Sequence, residues 1–194
     1  MENNITNILI CGVGGQGIIL AGEILSEAAL RSGFDVKKSE VHGMAQRGGS
    51  VVSHVRYGKK IYSPLIKEGD ADFLFSFERM ETLRYLTMLK NNGVIIINNQ
   101  RINPTNINIK TRNYPENIED ICSRLSRNIF YMDALKIAER IGNTKTVNVI
   151  MLGALSRYLS INDDVWRECI KTKVKEKFVD INLKAFQEGK KTEN

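Results

Sequence analysis

The sequence predicts a three-layer α/β fold: an open, mostly parallel sheet with helices on both faces and a helical C-terminal part. Three observations carry this. A short apolar run ends in a glycine-rich loop that opens straight into a helix pattern. Further apolar strand-like runs then alternate with helix patterns. From about residue 146 the pattern is helical throughout. The 194 residues suit one domain, and 1–194 is read as such.

The elements follow in order. "NILICG" (7–12) is a buried strand. Ile18, Ala21, Leu25, Ala28 and Ala29 recur at helix spacing, and Gly33 closes that helix from the C′ position. A second extended piece starts at Val36. "SVVSHVRY" (50–57) is β-branched and alternating, with Val52, His54 and Arg56 on one face and Val51, Ser53, Val55 and Tyr57 on the other. "GDADFLFSFE" (69–78) is another buried strand. "MLKNNGVIIINN" (88–99) reads as a helix end, a turn at Gly93 and a strand. Residues 99–117 are polar, carry two of the three prolines and read as the longest loop. "NIFYMD" (128–133) is a further strand, and its following helix stops at Gly142. Helices are expected over 146–159, 163–175 and 177–187, with fraying over the last few residues.

The composition is that of a folded soluble domain, 42% apolar and 26% charged. No apolar run reaches the roughly 18 residues of a membrane span, and the N-terminus does not have the layout of a secretory signal. Membrane association is not expected, and a cytoplasmic location is. Cys11, Cys122 and Cys169 are scattered, at spacings that match neither a zinc site nor an iron–sulfur motif. They read as reduced, packed thiols. The net charge is +6, and between positions 35 and 67 seven Lys/Arg stand against two acids. Such a patch suits phosphate groups or an acidic partner. Nucleic acid is disfavoured, because aromatic interleaving and recognisable binding motifs are missing.

"GVGGQG" (12–17) fits G-x-G-x-x-G through Gly12, Gly14 and Gly17, between a strand and a helix, which makes the fold Rossmann-like. Three readings stay open: a dinucleotide site, a tight turn without ligand, and a turn approaching a phosphate or a partner's backbone. The first needs an acid at the end of the second strand, and Glu40 is the candidate.

The segment "SEVHGMAQRGGSVVSHVRYG" (39–58) holds both histidines of the chain, His42 and His54. Paired Gly48 and Gly49 allow a close backbone approach, and Arg47 offers a planar fork for carboxylate or phosphate. General acid/base work by His42, a subunit interface or substrate channel, and a structural loop all fit. His54, on the strand, reads as a hydrogen-bonded structural histidine. Two histidines without a third ligand make a poor metal site. Met44 reads as an apolar contact, Tyr62 and Trp166 as core or interface aromatics.

The stretch "GVGGQGIILAGEILSEAALRSGFDVKKSEVHGMAQRGGSVVSHVRYG" resembles the 2-oxoacid:ferredoxin oxidoreductase gamma subunits and domains, and within them the beta subunits of indolepyruvate ferredoxin oxidoreductases. The resemblance continues through "YSPLI", "GDADFLFSFE", "GVIIIN" and "NVIMLGAL". It implies a small subunit, inactive alone, of an enzyme that converts an arylpyruvate with coenzyme A to an acyl-CoA and carbon dioxide, with electrons passed to ferredoxin. Thiamine diphosphate, magnesium and [4Fe–4S] clusters are then expected on a larger partner subunit, with no cofactor held tightly by this chain. The matching positions are Gly12, Gly14, Gly15, Gln16 and Gly17, as an anion or partner contact. His42, Gly43, Met44, Gln46, Arg47, Gly48, Gly49 and Ser63, with Pro64, are expected at an interface or channel. No residue is assigned as catalytic. Alternatives are a subunit acting on pyruvate, 2-oxoisovalerate or 2-oxoglutarate, a free-standing nucleotide-binding protein, and a homodimer of the isolated chain.

Overall fold

The computed structural model describes residues 5–42 (without the His42 side chain), 48–103, 114–126 and 128–193. Six strands form one sheet: β1 (Thr6–Val13), β2 (Asp35–His42), β3 (Ser50–Gly58), β4 (Ala71–Ser76), β5 (Leu89–Asn98) and β6 (Ile129–Met132). Among the described residues seven α-helices surround it: α1 (Ile18–Arg31), α2 (Arg79–Arg84), α3 (Ile118–Ser123), α4 (Ala134–Ile141), α5 (Val147–Ser156), α6 (Asp163–Lys173) and α7 (Val179–Lys191). The strand order is β2-β3-β1-β4-β5-β6. β4, β5 and β6 run parallel to β1, while β3 is antiparallel to both β1 and β2. The expected mostly parallel sheet with helices on both faces is therefore present, with one reversed strand. β2 and β3 form an antiparallel pair, and β3 fills the place beside β1 that a helical crossover alone would have given to β2.

Alternation along the strands divides the core. Ile8, Ile10, Val51, Val55, Phe75, Ile96 and Phe130 face one side, where they pack with residues of α1, α4, α5, α6 and α7. Leu9, Cys11, Val52, Leu74, Ile95 and Ile97 face the other, with Ile118 and Cys122 of α3. α5 is buried on all sides because α7 lies directly on it. The contact is backbone to backbone: a Cβ on Gly153 would meet the Phe186 carbonyl at 2.1 Å, and one on Gly189 the Ile150 carbonyl at 1.9 Å. Trp166 is fully buried beside Phe186, with ring centroids 5.8 Å apart. Tyr62 is 88% exposed and belongs to no core.

Several local expectations are corrected. Gly93 does not separate a helix end from a strand. β5 already begins at Leu89, and the register shifts between Ala71 and Phe73. Asn92 takes φ 61° at this bulge, and a Cβ on Gly93 would meet the Leu89 side chain at 2.7 Å, so glycine lets the bulge close. The short helices α2 and α3 lack a long apolar period and escape a pattern search. α7 runs on to Lys191 rather than fraying from Gly189, since Gly189 is buried against α5. Much of the expected loop at 99–117 lies outside the described residues.

Candidate functional site

In open α/β sheets the carboxyl ends of the strands form the working edge, at the point where successive connections leave in opposite directions. Here that point lies between β1, whose helix leads toward β2, and β4, whose helix leads toward β5. The glycine loop sits in this place.

Gln16 fills the loop. Its Oε1 accepts the Val13 amide at 2.7 Å, and its Nε2 donates to the Phe77 carbonyl at 2.8 Å and to Gln100 Oε1 at 3.0 Å. The backbone donor at Val13 fixes which end of the carboxamide faces which way. Asn98 completes the group: its Nδ2 donates to Phe77 O and Gln100 Oε1, and its Oδ1 accepts the Ala134 amide. Three side-chain amides thus join the ends of β1, β4 and β5 to the start of α4. Gly12 must be glycine because a Cβ there would meet Gln16 Oε1 at 2.7 Å and Phe77 Cβ at 2.8 Å.

Gly17 caps α1 in the left-handed region, φ 79° and ψ 26°. The helix has no side-chain cap and no acid in its first turn. Asn148, buried at the start of α5, donates to the Gly17 carbonyl at 3.3 Å. The first turn of α1 thus presents amide donors without a resident carboxylate, an arrangement that favours an anion or a partner's carbonyl.

The second motif meets the first. Gly14 donates its amide to the Gly49 carbonyl at 2.8 Å. Gly12, Gly14, Gly15, Gln16 and Gly17 therefore share one edge with Gly48 and Gly49. The β2–β3 connection reaches the same edge, since His42 pairs with Val51 and Gly12 also pairs with Val51. Gly43, Met44, Gln46, Arg47 and the His42 side chain lie outside the described residues. Behind Gly49, Ser50 donates its hydroxyl to the Glu81 carboxylate. Glu81 is buried, also accepts from Arg84 Nε at 3.1 Å, and has Tyr85 within 3.2 Å of the same Ser50 hydroxyl. This cluster fixes where β3 begins. Glu78, fully buried, caps α2 through the Glu81 amide and accepts the Tyr114 hydroxyl at 2.6 Å and the Ile102 amide at 3.0 Å.

Ser63 is elsewhere. Arg56, which pairs with Asn7 at the far end of β1, donates to the Ser63 and Leu65 carbonyls at 2.9 and 3.0 Å. From Val51 to Arg56 is five residues of strand, about 17 Å. His54 lies between and accepts the Ile66 amide on Nδ1 at 3.2 Å. Burial, and secondarily the Arg56 charge, pushes its pKa below the ordinary histidine value. It is the hydrogen-bonded structural histidine expected.

A dinucleotide does not fit this edge well. The strand beside β1 is the reversed β3, so β2 is displaced by one strand spacing. Glu40 is paired with Lys38 at 2.8 Å and does not end its strand. A cluster or metal centre finds no donor set either: among the described residues no group of three or more His, Cys, Asp or Glu could hold an ion. The three cysteines are buried in β1, α3 and α6. Burial raises all three thiols, Cys122 to about 11, away from the thiolate that a cluster needs.

Sequence reasoning missed Gln100, Asn98, Glu78, Glu81, Tyr85 and Asn148. Glu78 ends the strand run "GDADFLFSFE" and Asn148 begins "NVIMLGAL", but a buried amide or carboxylate shows no period. Only the tertiary contacts reveal its partners.

Residues 7–192 match the family described as pyruvate ferredoxin/flavodoxin oxidoreductase. The IorB subunit of indolepyruvate oxidoreductase from Thermococcus kodakarensis is 40% identical over 190 residues, covering 95% of this chain and 94% of that one. The gamma subunit of a keto/oxoacid ferredoxin oxidoreductase from Geobacter sulfurreducens is 27% identical with a TM-score of 0.69, covering 95% of both chains. A 2-oxoglutarate:ferredoxin oxidoreductase from Magnetococcus marinus, 21% identical, shares the fold with a TM-score of 0.73. There the fold covers 97% of this chain but 31% of that one. With a family match over almost its full length and a 40% identical relative covered to 94%, this chain belongs to the pyruvate ferredoxin/flavodoxin oxidoreductase family, alongside the IorB subunits.

Proposed function

We propose that this chain is the small subunit of an indolepyruvate (arylpyruvate):ferredoxin oxidoreductase. It acts as one gamma-type domain in the coenzyme-A-dependent oxidative decarboxylation of a 2-oxoacid. The observation that carries the reading is the 40% identity to an IorB subunit over nearly both whole chains. The joining of the two glycine motifs at the working edge of the sheet supports it, through the Gly14–Gly49 hydrogen bond. Thiamine diphosphate with magnesium and the [4Fe–4S] clusters are assigned to the larger partner subunit, which passes electrons to ferredoxin. The separated, protonated thiols of this chain support that division. The chain's own contribution is a rigid edge: the amide group around Gln16 and the free first turn of α1 present backbone donors to the partner or to an anionic group in its channel. A cytoplasmic location is part of the proposal. Separately, no helix of the described residues is long and apolar enough to cross a membrane.

Co-expression with the larger subunit tests this. The expected result is a stable complex that reduces ferredoxin with indolepyruvate and coenzyme A, and works less well with pyruvate or 2-oxoglutarate. Full activity of the larger subunit without this chain would overturn it.

A further inference from the structure

At the amino ends of the parallel strands, opposite the glycine-loop edge, β1, β4 and β5 border a cleft of about 410 Å³, with the connection after α5 on its other side. A cleft of this size suits a small ligand. Four aromatic side chains line it, in two pairs. Phe34 and Tyr57 stand with ring centroids 5.1 Å apart, and Phe73 and Tyr158 with centroids 6.1 Å apart. Tyr57 is buried, while Tyr158 is 41% exposed and leaves part of the aromatic wall open to water.

An irregularity in the strands builds the polar side of the cleft. In a regular strand consecutive side chains point to opposite faces. Here Asp72 and Phe73 both line the cleft, at the point where the β4–β5 register shifts between Ala71 and Phe73. On β5, Asn92 lines it with φ 61°, a left-handed backbone that a non-glycine residue takes at a cost. Asp72 is held in place, because its Oδ2 accepts the Asn7 amide at 2.7 Å. Its Oδ1 pairs with Lys90, whose side chain is 47% exposed. An exposed pair of this kind contributes little to the fold, so both charges can be shared with a ligand. One anion and one cation therefore stand side by side against an aromatic cleft.

We propose that this cleft binds a free aromatic α-amino acid, with its ring against the aromatic side chains, its ammonium group on Asp72 and its carboxylate on Lys90. Charge selects this class. A lone carboxylate, as in an aryl-substituted 2-oxoacid, would answer Lys90 but meet Asp72 with like charge. A zwitterion matches both groups. The ring supplies apolar burial and the edge and face contacts that four aromatic neighbours offer. An aliphatic amino acid forgoes those contacts. The site is separate from the glycine-loop edge and does not depend on the reading of the chain as an oxidoreductase subunit.

The test titrates the full chain with phenylalanine and tryptophan by calorimetry. Three comparison ligands each lack one feature. Phenylpyruvate has the ring and carboxylate without the ammonium, N-acetyl-phenylalanine amide has the ring without either charge, and leucine has both charges without the ring. The expected result is a dissociation constant below about 1 mM for at least one aromatic amino acid, and binding weaker by about tenfold or more for the comparison ligands. Lys90→Met and Tyr158→Ser should each weaken binding by about tenfold, with thermal midpoints near that of the wild type. Asp72 is left in place because it also holds the Asn7 amide. Hydrogen exchange of the wild type should slow at residues 89–94 and 157–160 when the amino acid is added. If a variant misfolds, this exchange measurement decides alone. Three results overturn the site: no binding of either amino acid up to about 10 mM, a comparison ligand that binds as tightly, or undiminished binding to the folded variants. Unchanged exchange at both segments overturns it as well. None of these outcomes touches the oxidoreductase reading, since no turnover is measured.

Discussion

The carboxamides of Gln16 and Gln100 meet at 3.0 Å across 84 residues of sequence, and both belong to the amide group that closes on the Phe77 carbonyl. The glycine loop is therefore plugged from within by its own side chain. Replacing Gln16 with Ala leaves the Val13 amide and the Phe77 carbonyl short of a partner. The expected cost is about 1–3 kcal/mol in urea unfolding. Gln16→Glu should lose at least as much at pH 7, because a carboxylate faces the Phe77 carbonyl, and should regain part of it in acid, where the protonated carboxyl can donate. Equal stability of all three proteins across pH would remove the plug as a structural element.

Gly17 combines a left-handed backbone with a crowded side. A Cβ there would meet Asn148 Nδ2 at 2.6 Å. Gly17→Ala should destabilise by about 1–3 kcal/mol through strain and overpacking, and Asn148→Ala in the same chain should relieve the steric part. A double-mutant cycle that shows no coupling would contradict this account.

The α5–α7 contact makes a sharper demand. Gly189→Ala places a methyl group within 1.9 Å of the Ile150 carbonyl, and neither helix backbone can yield alone. A loss of about 3 kcal/mol is expected, read as a lower thermal midpoint. Gly33→Ala is the comparison: no atom lies within 4 Å of its Cβ, so the cost there comes only from φ 87°.

His54 gives the fold an acid limit. Its folded pKa is lowered by burial and by Arg56, so the neutral ring is favoured in the native state. The stability it contributes is present above the unfolded value of about 6.5 and falls away as pH drops through that value. Protonation also turns the Nδ1 acceptor into a donor that faces the Ile66 amide. The urea midpoint should fall between pH 7.5 and 5.5 by more in the wild type than in His54→Asn, which keeps an acceptor there without titrating. Parallel pH profiles would place the acid sensitivity elsewhere.

The three thiols should be inert. Cys11, Cys122 and Cys169 are buried, and burial holds all three in the protonated form. Labelling with a disulfide reagent at pH 8 should be slow in the native chain and rapid for all three in denaturant. Fast native labelling of any one would identify a thiol that opens readily to solvent.

The sequence by itself determined the alternation of strands and helices, the helix after the glycine loop, the two faces of β3 and the burial of the cysteines. Each is local, set by periodicity, by a capping glycine or by the small apolar character of a thiol. The resemblance carried by its motifs pointed to the family. Tertiary structure alone decided what those motifs do to one another. It inserted β3 beside β1, so that Gly14 and Gly49 bond and β2 moves away from any dinucleotide geometry. It also divided one continuous stretch of motif in two, because extended strands carry neighbours in sequence far apart in space. Gly49 reaches the working edge, while Arg56 stands about 20 Å away and pins Ser63 and Leu65. Hydrogen bonds between Gln16 and Gln100, or Ser50 and Glu81, join residues whose separation in the chain leaves no periodic trace. Only folding brings them within reach.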